Sequence, residues 1–246
     1  VDEEIGLLGA VGFDCSVLKG RRFINLDSEA EGSLWISCAG GLSGVSHIPV
    51  TRLEAKGEKL TVKISGLMGG HSGAEIDKNR ANANSLLGKF LYGLKKAADY
   101  ELISVQGGQK DNAITRESVA ELLILKEDLK AVEEYAAYMQ NAWREEYAGT
   151  DEEITVTVSD EGEKEVKVFH PTSKEKVVFF LVNVPYGVQK MSGTIEGLVE
   201  TSTNIGILKT SEDEVLGSSS IRSSVETARD ALSDKIQYLS LIHISE

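Results

Sequence analysis

Cysteine, proline and basic charge are all scarce in this chain, and each scarcity excludes something. Only two cysteines occur, Cys15 and Cys38, too few and too isolated for a disulfide framework or a zinc knuckle. Their use fits a reducing, cytoplasmic setting. Pro49, Pro171 and Pro185 are the only prolines, which favours compact packing over flexible linkers. The longest apolar stretch, around Val177 to Val184, is far shorter than the roughly 18 residues a transmembrane helix needs, so no membrane partner is expected. Lysine and arginine number 26 against 39 acidic residues, for a net charge of -13. Nucleic-acid binding requires a basic face, so nucleic acid is excluded as a partner, and the acidity reads as solubility. The first residues are acidic and lack the basic n-region of a signal peptide.

What is present suits an ordinary soluble globular protein. The 246 residues, 41% hydrophobic, suffice for one large domain or two small ones. Residues 1–50 read as α/β pieces: a small apolar helix at Gly6–Val11, and short strands at Arg22–Leu26 and Ser33–Cys38. Asp27 falls at the carboxyl end of the first strand, where ligands commonly sit in such sheets.

From Leu60 the pattern changes. Leu60–Leu67 alternates as a half-buried strand. Met68–Gly73 is a Gly-rich loop, and Asn82–Asp99 an amphipathic helix with Leu86, Leu87, Phe90, Leu91 and Leu94 on one face. Strands are expected at Leu102–Val105 and Ala113–Leu125, then a helix at Asp128–Tyr147 capped by Asp128. Ile154–Ser159 and Ser218–Ser223 read as strands and Glu226–Leu239 as a helix. Val177–Val184 fits either a buried strand or a short helix. The order implies an α+β layer, an antiparallel sheet with helices on one face.

Several residues carry chemical potential. Glu3 and Glu4 are adjacent carboxylates. Such pairs are common on solvated surfaces, but this one runs straight into the buried-looking Ile5–Ala10. Neighbouring carboxylates can divide labour, one ligating a metal and the other taking a proton from metal-bound water. His71 stands in a Gly-Gly-His-Ser-Gly loop. A lone loop histidine is usually incidental, yet flanking glycines allow close approach to a ligand, and a His there can donate to a developing oxyanion. Asn112 reads first as a turn residue. Arg222, flanked by serines, reads as a surface ion pair or as a fork for a peptide's terminal carboxylate. Gly66–Gly73 lacks the Lys-Ser/Thr of a P-loop, and Ser43, Ser46 and His47 do not form a nucleophile elbow.

The set Asp2-Glu3-Glu4-Ile5-Gly6, Leu26–Gly32, Cys38–Gly41, Gly69-Gly70-His71-Ser72-Gly73 and Arg80-Ala81-Asn82-Ala83-Asn84 resembles the M20 metallopeptidases. It is most similar to their aminoacyl-histidine (Xaa-His) dipeptidase type. Val199–Asn204 and Ser220–Glu226 extend the likeness, which covers the chain to about Ile236. The resemblance implies hydrolysis of dipeptides such as carnosine by metal-activated water, with two zinc ions per site, cobalt or manganese being possible substitutes. It implies Glu3 as general base, Glu4 and Asp27 as ligands to different zincs, and His71 as oxyanion donor from the lid, into a neighbouring subunit's site. Asn112 and Arg222 would contact the small peptide substrate. It further implies a partial catalytic domain over 1–50 and a lid/dimerisation domain over 51–238, giving a homodimer. Residues 239–246 read as a non-native tail.

The family's upstream His-x-Asp segment and its terminal zinc-binding His have no counterpart here. The expectation is therefore a fragment of a cytoplasmic dipeptidase, cut at both ends, that binds zinc poorly and has little activity by itself. Another M20 activity (tripeptidase or deacylase) and a non-catalytic dimerisation module are the competing readings.

Overall fold

The computed structural model describes residues 8–24, 31–32 and 37–241. The chain divides into two units, Val1–Cys38 and Ala39–Glu246. In the first, α1 (Leu8–Val11) is a single turn. A 3-10 turn at Cys15–Val17 follows, capped by the Asp14 carboxylate, which accepts the Ser16 amide at 2.9 Å. Both cysteines are free and exposed. The strands expected at Arg22–Leu26 and Ser33–Cys38 fall in part outside the described residues, at 25–26 and 33–36. Arg22–Ile24, Ser37 and Cys38 are irregular.

The second unit is built on a sheet of eight strands. Seven of them are β1 (Gly40–Pro49), β2 (Arg52–Ser65), β4 (Tyr100–Gly107), β6 (Ser118–Ile124), β7 (Thr155–Phe169), β9 (Val199–Thr210) and β10 (Glu214–Ser223). They are ordered β1-β10-β9-β4-β6-β2-β7, and β8 (Gly187–Met191) pairs beside β9. Every pairing is antiparallel. Two short strands, β3 (Gly70–His71) and β5 (Ala113–Ile114), form a separate ladder.

One sheet face carries Leu60, Val62 and Ile64 of β2 beside Leu122 and Ala120 of β6, and these pack into a single core with the helices. Of those helices, α2 (Ala83–Leu94) buries the predicted stripe of Leu86, Leu87, Phe90, Leu91 and Leu94. It starts at Asn82, whose side-chain oxygen accepts the amides of Asn84 and Ser85. This satisfies two donors that the first helical turn leaves unpaired. α3 (Leu129–Glu146) buries Val132, Ala136 and Trp143. α4 (Pro171–Asn183) opens on Pro171, a residue preset for a first helical position. α5 (Glu226–Leu241) covers Ile221 with Leu232 and Ile236.

The α+β layer expected from the sequence is therefore the observed architecture. One open reading is settled and two expectations change: the single strand expected at Ala113–Leu125 is broken into β5 and β6, which belong to different sheets. Val177–Val184 lies almost wholly in α4, because Pro171 and the His170 cap start a helix upstream of it. Asp128 precedes α3 but does not cap it. It sits in helical conformation at the end of a 3-10 turn, and its side chain makes no cap hydrogen bond.

Candidate functional site

Glu3, Glu4 and Asp27 lie outside the described residues. Among the described residues no group of three or more His, Cys, Asp or Glu side chains could hold a metal ion. The second unit holds the other three candidates, His71, Asn112 and Arg222, and the fold brings them together.

His71 enters through the β3–β5 ladder, paired with Ala113. That pairing puts it beside Asn112, whose carbonyl accepts the Ser72 amide at 2.9 Å. Asn112 is itself exposed. Its loop is held from below by Asn204 of β9, which donates to the carbonyls of Asp111 (3.0 Å) and Ala113 (2.9 Å) on either side. Asn204 faces Ser220 in the β9–β10 ladder, and Arg222 faces Ser202 two residues along. Since side chains alternate across a strand, Arg222 projects from the same sheet face that Asn204 uses to hold the loop.

Gly73 marks the convergence. A side chain there would begin 3.0 Å from the His71 Cε1 and 3.1 Å from the Arg222 Nε. The ring edge and the guanidinium thus flank one small space that only glycine leaves open. The Arg222 Nε is buried and has no hydrogen-bond partner among the described residues, and the same is true of the Ser72 Oγ. A buried unpaired guanidinium nitrogen is costly, and a carboxylate is the ligand that relieves it with most energy.

The His71 ring has a defined orientation. Its Nδ1 accepts the amides of Ala74 (3.0 Å) and Gly73 (3.2 Å). In the neutral ring the proton therefore resides on Nε2, which is left to donate outward. The glycines around His71 were legible as a place of close approach. The partners that hold the loop were not, because Glu75 and Asp151 look like ordinary surface acids in sequence. In the structure Glu75 accepts the His71 amide at 2.9 Å. The Asp151 carboxylate, 2% exposed, accepts the amides of Met68 (2.6 Å) and Ala81 (2.7 Å) at the two ends of the loop. The Arg80–Asn84 run lies at the end of this loop. Its asparagines form a buried network in which Asn82 donates to Asn204 and to the Ile205 carbonyl, both at 3.0 Å. Asn84 accepts the Ser118 hydroxyl at 2.9 Å.

An open groove of about 740 Å³ adjoins the Asn112 loop, lined among others by Lys110, Ala113, Arg116, Ile207 and Lys209. Its cations outnumber its single acid, Glu117, so this flank is basic although the chain as a whole is acidic.

Comparison with known proteins relates the chain to peptidases. Residues 62–151 match the model of the M20 peptidase dimerisation domain. The chain is 31% identical over 230 residues to the cytosol non-specific dipeptidase of Escherichia coli (strain K12), covering 93% of this chain and 47% of that protein. The aminoacylhistidine dipeptidase of Vibrio alginolyticus superimposes with a TM-score of 0.87 at 32% identity, over 99% of this chain and 50% of that one. The chain thus spans about half the length of each of these relatives.

Proposed function

We propose, from the premise that this chain belongs to the M20 peptidase family, that the intact protein is a cytoplasmic, zinc-dependent dipeptidase acting on Xaa-His or similar dipeptides. In this reading residues 1–50 are part of the catalytic domain and 51–238 are the lid and dimerisation domain. The observation that carries the reading is the convergence of His71 and Arg222 on Gly73, with the Arg222 Nε buried and unpaired. Such a pair suits a short peptide, with a cation for its terminal carboxylate and a neutral donor for the oxygen of the carbonyl under attack.

Arg222 would bind the substrate's C-terminal carboxylate through charge-assisted bonds, and Asn112 would hold the peptide beside it. His71 would donate its Nε2 proton to the developing oxyanion, a donor held in place before reaction. Glu3 would take a proton from the attacking water, and Glu4 and Asp27 would hold the metal, which when bound supplies Lewis acidity and a water of lowered pKa. The match to a dimerisation domain supports a homodimer in which His71 serves a neighbouring subunit. Light scattering of the intact protein should give twice the chain mass, and a monomer would remove that part of the reading.

The carboxylate role is tested by assaying the intact protein on a dipeptide and on its C-terminal amide. Arg222→Ala should depress turnover of the free acid and leave that of the amide nearly unchanged. An equal loss on both would show that Arg222 does not read the carboxylate.

A further inference from the structure

The loop that carries His71 is held by Glu75 and Arg80, neither of which is among the residues proposed for the peptide or the metal. Both backbone polar groups of His71 are engaged by Glu75. The His71 amide donates to Glu75 Oε2 at 2.9 Å, and the His71 carbonyl accepts the Glu75 amide at 3.0 Å. This closes a turn in which the amides of Gly73 and Ala74 both point at the His71 Nδ1. The other carboxylate oxygen, Glu75 Oε1, pairs with Arg80 at 3.0 Å. Arg80 in turn donates to the Gly69 carbonyl at 2.5 Å, so one guanidinium ties the start of the loop to its acid.

Arg80 is itself anchored. Its carbonyl accepts the Tyr186 hydroxyl at 2.7 Å. Burial pushes the Tyr186 phenol well above its usual range, so it remains a donor. The His71 amide, then the Arg80 charge, hold the Glu75 carboxyl below the ordinary carboxylate range. Gly70, at φ +138°, passes through the grip, and any side chain there would overlap both the Arg80 guanidinium and the Glu75 carboxylate.

We infer that Glu75 and Arg80 form a positioning clamp that fixes His71 as the Nε2–H tautomer, with Nδ1 turned into the loop. Glu75 closes the turn whose amides occupy Nδ1, and Arg80 holds Glu75 and the incoming strand together. Neither residue is a catalytic group, because each acts through His71. The inference rests on the proposed role of His71 as oxyanion donor only for its kinetic consequence. The tautomer is a property of the loop itself.

The test uses the intact protein with Glu75→Ala, Glu75→Gln, His71→Ala and the double variant. Glu75→Ala should lower kcat by roughly 10- to 100-fold, the scale of a catalytic group displaced by about 1 Å, with KM changed by less than about threefold. Glu75→Gln retains an acceptor for the His71 amide and should recover most of kcat. In the His71→Ala background, Glu75→Ala should add less than about twofold, because residues that act as a unit are not additive. The 15N signals of His71 should change from a single Nε2–H form to a mixture of tautomers in Glu75→Ala. Should that variant fail to fold, Arg80→Gln, expected to shift the same signals, takes its place. Full additivity in the double variant, or an unchanged tautomer, overturns the clamp. If His71→Ala leaves kcat intact, it is the oxyanion role that fails, and the 15N spectra still decide the clamp.

Discussion

At the scale of single residues, the account depends on why Arg222 is where it is. In sequence it is an arginine among serines, and an exposed ion pair is the ordinary reading. In the structure its Nε is buried and has no hydrogen-bond partner among the described residues. Hydrogen bonds to charged groups contribute about 1.5–3 kcal/mol each. Losing one on Arg222→Ala should therefore lower kcat/KM for a free dipeptide by roughly ten- to a hundredfold, and by far less for the amide. His71 was legible as a loop residue with room for a ligand beside it, and Asn112 as a turn residue. Their meeting with Arg222 was not, because the three are joined by a two-strand ladder, between His71 and Ala113, and by Asn204, which reaches Asp111 and Ala113 across 93 and 91 residues of sequence. Glu75 and Asp151 were invisible for a related reason. An acid that binds backbone amides has the same sequence signature as an acid in water.

At the scale of elements, periodicity located α2, with its single buried stripe, and the alternating second half of β2. It did not mark β9, where Glu200 through Gly206 are all buried. Hydroxyl and amide side chains replace the usual apolar alternation there: Asn204 binds the Asp111–Ala113 loop and Thr201 pairs with Ser223 of β10. Gly88 in the middle of α2 is another feature with a tertiary cause. A side chain there would begin 2.7 Å from the Leu181 backbone of α4, so glycine is what lets the two helices touch. Gly88→Ala gains helix propensity, yet overpacking of this kind costs about 1–3 kcal/mol. The expected outcome is a net loss of stability in urea unfolding. A variant more stable than the parent would mean that the helices have room to separate.

At the scale of the whole molecule, the antiparallel sheet with its helical layer is the architecture expected from the order of strand and helix patterns, and the match to the M20 dimerisation domain covers its central part. The residues proposed to hold metal and base lie in the other unit, outside the described residues, and the described residues hold no metal cluster. In the proposed reading the chemistry is divided: the second unit would offer a donor and a cation for the peptide, and Glu3, Glu4 and Asp27 would supply the acids. This division makes metal-dependent dipeptide hydrolysis the central claim. The most direct measurement is hydrolysis of an Xaa-His dipeptide by the intact protein, before and after complete removal of metal, in parent and Glu3→Gln forms. The account predicts activity in the metal-loaded parent alone, restored to the chelated parent by zinc. Activity that persists in metal-free Glu3→Gln would contradict it.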